Sequence, residues 1–301
     1  MKPKETVRGR LLSIDIIRIA GLILILLQHM IGTKLLPSWI SNIAIDYLPY
    51  LFYINYGRIG VWLFLFASGC SLALNDTEFS NLLDVKNFYK KRLIRIYPPY
   101  WVSLLFSLLI FNWVIPSLTV TDFVRWFSGF QIFFATTSIE ITKVNITYWF
   151  VGLIVSLYLL YPLLFYVVKK HPNISLLSFF FISLASRCIM FYVFPVFGSG
   201  WDWFPTCRIF NFALGIYLIQ KGLFPKATSN RTIAFLGMMT FYVFLVHFPI
   251  MCATNYDNIG ILFFLAGIAV FSFLLYLLDS FIKNLLFARS MTKKESVQTI
   301  G

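Results

Sequence analysis

Eight long apolar stretches divide the sequence, near 11–33, 57–75, 97–115, 148–168, 174–194, 205–221, 232–254 and 259–285. A helix of about 20 apolar residues crosses the hydrocarbon core of a bilayer. The pattern therefore predicts an all-α, polytopic membrane bundle of about eight transmembrane helices. With 59% hydrophobic and 12% charged residues and a mean hydropathy of +0.80, too little polar surface remains to cover a water-soluble domain. Residues 1–287 read as one transmembrane domain and 288–301 as a polar cytoplasmic tail. No internal repeat is visible, which argues against the inverted-repeat transporter folds.

The net charge of +13 would suggest nucleic acid in a soluble protein. In a membrane protein Lys and Arg collect in cytoplasmic loops and set orientation, so the expected partner is the lipid bilayer and not nucleic acid. With eight spans and a cytoplasmic N-terminus, 18 of the 25 basic residues fall in inner segments; the outer segments keep only Lys34, Arg58, Arg125 and Lys143. A ninth span at 123–136 would put Lys169 and Lys170 outside. The stretch 116–147 is therefore expected as an outer loop carrying a re-entrant or surface helix. Both termini are expected in the cytoplasm of a multi-pass plasma-membrane protein. The first apolar run lacks a cleavage site and is expected to stay as a helix. Cys70, Cys188, Cys207 and Cys252 make no metal spacing and read as small buried hydrophobes.

Charges inside the apolar runs are costly and point to function by default. Arg18 and His29, eleven residues apart in SIDIIRIAGLILILLQHM, share one helix face about 16 Å apart along the axis. Asp15 lies one turn below Arg18 and can pair with it. The plain alternative is a salt-bridged Arg and a packing His. In FYKKRLIRIYPPYW, Arg92 and Arg95 face the same way, and a guanidinium fork suits phosphate oxygens. Pro98 and Pro99 suit a helix start, and Tyr97, Tyr100 and Trp101 suit a membrane interface. The alternative there is a topological anchor. Trp149, Arg187, Arg208 and His247 lie in the outer parts of later spans, and Asp202 precedes Arg208. A lone His247 on an apolar helix more often packs than reacts. No cluster has metal-ligand spacing, and no phosphate-binding glycine loop or nucleophile elbow is present.

Together these segments resemble the membrane-bound acyltransferase family 3, of the bacterial surface-glycan O-acyltransferase type. IDIIRIAGLILILLQH is similar to its first-span motif, with Asp15, Arg18 and His29 in place. GRIGVWLFLFASG resembles its second-span motif, FYKKRLIRIYPPYW its Arg-x-x-Arg motif, and ITYWFVGLIVSLYLLYPLL its Trp-Phe span with Trp149, Phe150 and Pro162. RIFNFALGIYLI and YVFLVHFPI resemble weaker later motifs. The family usually has ten spans. The missing pair would lie between the sixth and seventh, where 222–231 makes the whole connection. Where many members carry an acidic residue after Trp-Phe, this chain has Val151, Gly152 and Leu153.

The resemblance implies an O-acyltransferase that moves an acyl group, usually acetyl, from cytoplasmic acyl-CoA to a hydroxyl of a cell-surface or exported glycan or glycolipid. Acyl-CoA is then a co-substrate, and no resident cofactor or metal is expected. On that reading His29, Asp15 and Arg18 are catalytic, and Arg18, Arg92 and Arg95 hold the phosphates of CoA. Arg58, Trp149, Arg187, Arg208 and His247 are acceptor-side candidates. Leu22 and Ile25 would line the path of the acyl-pantetheine arm. A glycolipid flippase or a catalytically inactive scaffold is the alternative from another class.

Overall fold

The computed structural model describes residues 11–32, 55–75, 79–111, 118–134, 143–193, 202–224, 230–254 and 260–298, with side chains up to 285. Among them are ten helices and no strand: α1 (Leu12–Gly32), α2 (Tyr56–Asn75), α3 (Leu82–Ile110), α4 (Val120–Ser128), α5 (Gln131–Phe134), α6 (Trp149–Lys170), α7 (Pro172–Val193), α8 (Pro205–Gln220), α9 (Arg231–Ala253) and α10 (Gly260–Gln298). Seven are long and apolar enough to cross a membrane, and the chain is a multi-pass membrane protein. The eighth expected span is α8, whose 16 residues extend only about 24 Å at 1.5 Å per residue. Pro205 opens it and a turn at Lys221 and Gly222 closes it. A short helix is tolerated there because protein surrounds it on several sides, with Cys207, Phe212, Ala213 and Ile216 fully buried.

Consecutive long helices alternate in direction. Gly57 at the start of α2 faces Gln28 near the end of α1. Helix α8 runs parallel to α2, with Arg208 over Trp62 toward one end and Phe224 beside Phe66 toward the other; where they cross, a Cβ on Gly69 would stand 2.1 Å from the Phe212 carbonyl oxygen, and one on Gly215 would stand 2.3 Å from that of Phe66. Only glycine permits so close a crossing. The bundle thus has one end at Arg18 and another at His29. The outer faces of α7 and α10 expose Phe180, Phe181, Leu262, Phe263 and Phe281, as lipid-facing helices must. Cys70 and Cys207 are buried, but Cys188 and Cys252 are exposed. The expectation of four buried cysteines fails for these two, which lie on bundle surfaces where apolar residues meet lipid instead of protein.

One further expectation is corrected. The third helix does not start at Pro98 and Pro99. It starts at Leu82, where Asn81 and Asp84 form a reciprocal capping box, and it runs through both prolines. Tyr97, Tyr100 and Trp101 consequently lie mid-helix. They hold the segment 118–134 in place. Tyr97 Oη donates to the Ser128 carbonyl (2.8 Å), Tyr100 Oη to that of Trp126, and Trp101 Nε1 to that of Phe127 (2.9 Å).

Helix α4 descends beside α3, with Leu118 near Leu108 and the Phe127 ring stacked on Trp101. The expected loop helix is therefore present and folds back along α3, and its nine residues are too few for a ninth span. Helix α10 continues as helix through Gln298, so the expected polar tail begins as an extension of the last span.

Helix α4 begins with a capping box between Thr119 and Asp122. The Thr119 backbone N–H holds the Asp122 carboxyl below the usual aspartate range, with further help from the Thr119 hydroxyl and Lys143. A depressed carboxyl stabilises the fold above its unfolded value of about 3.9, and that contribution is lost as pH falls through the folded value. Thr119→Ala should destabilise the segment by about 1 kcal/mol. Faster proteolysis or hydrogen exchange confined to 118–134 is the measurable result, while unchanged protection would mean that α3 alone holds α4.

Candidate active site

A cavity of about 320 Å³ lies toward the Arg18 end, walled by α1, α2, α3, α6 and α9. Asp15, Arg18, Arg92 and Arg95 all line it, together with Ser68, Ser71 and Asn75 of α2. Three arginines that the sequence separates by up to 77 positions thus share one concave surface. Arg18 Nη1 donates to Asp15 Oδ1 at 3.1 Å and Nη2 to Ser71 Oγ at 2.6 Å. The Ser71 hydroxyl in turn donates a hydrogen bond to the Ala67 carbonyl (2.8 Å). Asp15 is 1% exposed and sits against Gly237, where a Cβ would stand 2.6 Å from Asp15 Oδ1. Glycine on α9 therefore makes room for the carboxylate that aims Arg18. The Arg92 guanidinium lies 5.4 Å from the Phe88 ring centroid, a cation–π contact that limits its sweep.

Leu22 and Ile25, expected along the acyl path, are absent from the cavity lining. Both are buried, and Ile25 packs against Gly60. The side of the cavity toward the His29 end is formed by Phe64 and Phe150. These rings and Phe244 make a mutual cluster, with Phe150 and Phe244 4.9 Å apart. Phe244 in turn touches His247 at 5.6 Å.

His29 and His247 are in ring contact, 5.3 Å between centroids and 47° between planes. His29 also meets the edge of Phe248. His247 is fully buried, and its Nδ1 lies 2.7 Å from the Phe244 carbonyl oxygen. A carbonyl only accepts, so the proton is assigned to Nδ1 and the lone pair to Nε2. Among the described residues, that Nε2 has no hydrogen-bond partner. Sequence spacing treated these histidines as separate features, whereas the fold makes them one pair.

The remaining candidates gather nearby at the same end of the bundle. Arg208 is 1% exposed. It donates from Nη2 to Asp202 Oδ2 at 2.6 Å and from Nε to the Asp202 carbonyl at 3.1 Å. Arg58 Nε reaches the same Oδ2 at 3.4 Å. Arg187 Nε donates to the Cys207 carbonyl at 3.0 Å. Trp149 stacks on Trp203, 5.1 Å apart and 10° from parallel.

The profile of an acyltransferase domain family matches residues 11–290. The chain belongs to this acyltransferase family. No curated protein and no solved structure matches the chain.

The match takes in every long helix of this membrane acyltransferase except the last eight residues of α10, so the cavity and the histidine pair both lie within the family's domain. Sequence reasoning about the acyltransferase missed Ser71 and Gly237, which orient the Asp15–Arg18 pair. It also missed Asp279 of α10, 1% exposed, which accepts from Tyr242 Oη at 2.6 Å and Lys283 Nζ at 2.5 Å. The rule that exposed Arg18 as a candidate, that a charge in an apolar run needs a reason, should have found Asp279 as well. Trp62, which lies under two arginines, carried no comparable signal. Among the described residues no His, Cys, Asp and Glu group could hold a metal ion.

Proposed function

We propose that this acyltransferase takes an acyl group, acetyl in the simplest case, from acyl-CoA at the Arg18 end and transfers it to a glycan hydroxyl at the His29 end. The observation that carries this reading is the convergence of Arg18, Arg92 and Arg95 on one cavity, with the histidine pair farther along α1 and α9. Guanidinium groups suit the diphosphate and 3′-phosphate of CoA. Helix rise sets Arg18 and His29 about 16 Å apart, a span that an extended pantetheine arm bridges. The Phe64, Phe150 and Phe244 rings must turn aside for the thioester to arrive.

The acceptor hydroxyl oxygen then adds to the thioester carbonyl carbon while His29 takes the hydroxyl proton. The C–S bond breaks, and the departing CoA sulfur recovers that proton from the imidazolium. His247 acts as a positioning residue. Its Nδ1 is committed to the Phe244 carbonyl, and its ring limits how His29 can turn. Two adjacent imidazolium charges would repel, so the pair takes up one proton at a time.

Labelled acetyl-CoA mixed with purified protein and glycan acceptors tests the reaction; CoA-independent movement of a glycolipid would instead establish a flippase. Arg92→Ala and Arg95→Ala should each raise the apparent donor constant about tenfold to a hundredfold, the loss of one or two charge-assisted bonds. Lys at either site should restore only part. An unchanged donor constant with lost protein yield would make these residues topological anchors.

The reading also places the Arg18 end in the cytoplasm of a plasma-membrane protein, where Lys169, Lys170, Lys221 and Arg231 at helix ends would lie inside. Val120, 83% exposed at the start of α4, should as Val120→Cys react with an impermeant maleimide added outside intact cells. Reaction only after permeabilisation would invert the topology.

A further inference from the structure

At the same end of the bundle as the histidine pair, two guanidinium groups sit on one indole. The Arg187 and Arg208 Cζ atoms lie 5.4 and 5.7 Å from the Trp62 ring centroid. Arg208 shares its carboxylate, Asp202, with Arg58. Among the described residues no carboxylate lies within ion-pair distance of Arg187, whose identified hydrogen bond runs to a backbone carbonyl. Among the described residues two buried donors here have no acceptor: Arg208 Nη1, on a side chain 1% exposed, and Trp62 Nε1. One acceptor, Asp202 Oδ1, also has no donor. Buried donors and charges are normally satisfied, because leaving them unmade is costly.

We propose that Arg187, Arg208 and Trp62 form a recognition subsite for an oxyanion on the acyl acceptor, the carboxylate of an acidic sugar. This rests on the acyl-transfer reading above. A carboxylate supplies acceptors for Arg208 Nη1 and Trp62 Nε1 and a counter-charge for Arg187. A sugar hydroxyl near that carboxylate supplies the donor that Asp202 Oδ1 lacks. A phosphate matches the first three demands but, being acceptor-only when ionised, not the last.

The register sets the subsite at the His29 level of the bundle, on the side of α2 that faces α7 and α8. Trp62 lies five residues from Gly57, which faces Gln28 beside His29. Trp149 and Trp203 extend the same region, and Phe150, next to Trp149, joins the phenylalanine cluster that reaches His247. The subsite and the histidine pair therefore share one end of the bundle, linked through Asp202, Trp203, Trp149 and the phenylalanine cluster.

The test uses the full chain purified in detergent and three probes with one tail: octyl β-D-glucuronide, octyl β-D-glucoside and octyl phosphate. Binding is read from tryptophan fluorescence and from the shift in thermal unfolding. The glucuronide should bind about tenfold or more tightly than the glucoside, the factor expected of charge-assisted bonds. Arg187→Gln keeps a donor for the Cys207 carbonyl, so it should unfold near the wild-type temperature yet lose the preference. Arg187→Lys should restore part of it. Equal binding of glucuronide and glucoside, or a preference that survives Arg187→Gln, overturns the subsite. Octyl phosphate binding more tightly than the glucuronide would assign the site to a lipid headgroup and overturn the acidic-sugar assignment. Acetyl-CoA binding is measured in parallel. Its absence beside an intact glucuronide preference sinks the donor reading while keeping the subsite, and its presence without that preference does the reverse.

Discussion

His29→Gln should insert and accumulate normally but lose acyl transfer by about a hundredfold or more, because general acid–base catalysis typically contributes about 10²–10⁴ in rate and an amide cannot take up a proton. The amide can still replace one hydrogen bond, so a purely packing histidine would tolerate the change. Donor binding, about 16 Å away by helix rise, should hardly move. The ring contact with His247 alters how the control must be read. Substitutions of touching residues are not additive, so His247→Gln alone should give a smaller loss through the position of His29. The double variant should then be scarcely worse than His29→Gln. A dead His247→Gln beside an active His29→Gln would move the base to α9, and two active single variants would remove the proposed mechanism altogether.

Much of this was legible because a membrane simplifies the code. Apolar length located the helices, and a charge in hydrocarbon is so costly that Asp15, Arg18, Arg92, Arg95 and Arg208 stood out against their surroundings. Helical spacing correctly paired Asp15 with Arg18, since i, i+3 geometry is local. The eighth helix escaped the rule of length because α8 is packed among protein neighbours, and hydropathy does not distinguish protein from lipid as an apolar environment. Pro98 and Pro99 misled for a related reason. A proline is as compatible with a bent helix interior as with a helix start, and the choice was made by the cap at Asn81 and by the fit of α4 against Tyr97, Tyr100 and Trp101. What remained illegible depends on register between distant helices. Nothing within either segment says that His29 meets His247, that Gly237 receives Asp15, or that Trp62 lies under Arg187 and Arg208.

The second large effect concerns Arg18, where a structural and a functional role meet in one side chain. Arg18→Ala deprives Asp15, 1% exposed, of its guanidinium and frees the Ser71 hydroxyl from its 2.6 Å contact. Breaking a buried ion pair by removing one partner costs about 3–5 kcal/mol. The lower figure of about 3 kcal/mol applies here because the pair borders a cavity and the Arg18 side chain is 17% exposed. Donor binding should fall as well, so activity alone cannot separate the two causes. The double variant Asp15→Asn/Arg18→Gln separates them. It removes both charges together, keeps the volumes similar and leaves no buried carboxylate unmatched, so thermal stability should return to near the wild-type value. Donor affinity should not return, because no guanidinium remains at that corner to meet phosphate. If the double variant recovers both stability and donor affinity, Arg18 serves only to satisfy Asp15, and the donor site belongs to Arg92 and Arg95 alone. If it recovers neither, the pair fixes the α1–α9 contact at Gly237 by its shape, and the placement of His29 against His247 should be lost with it.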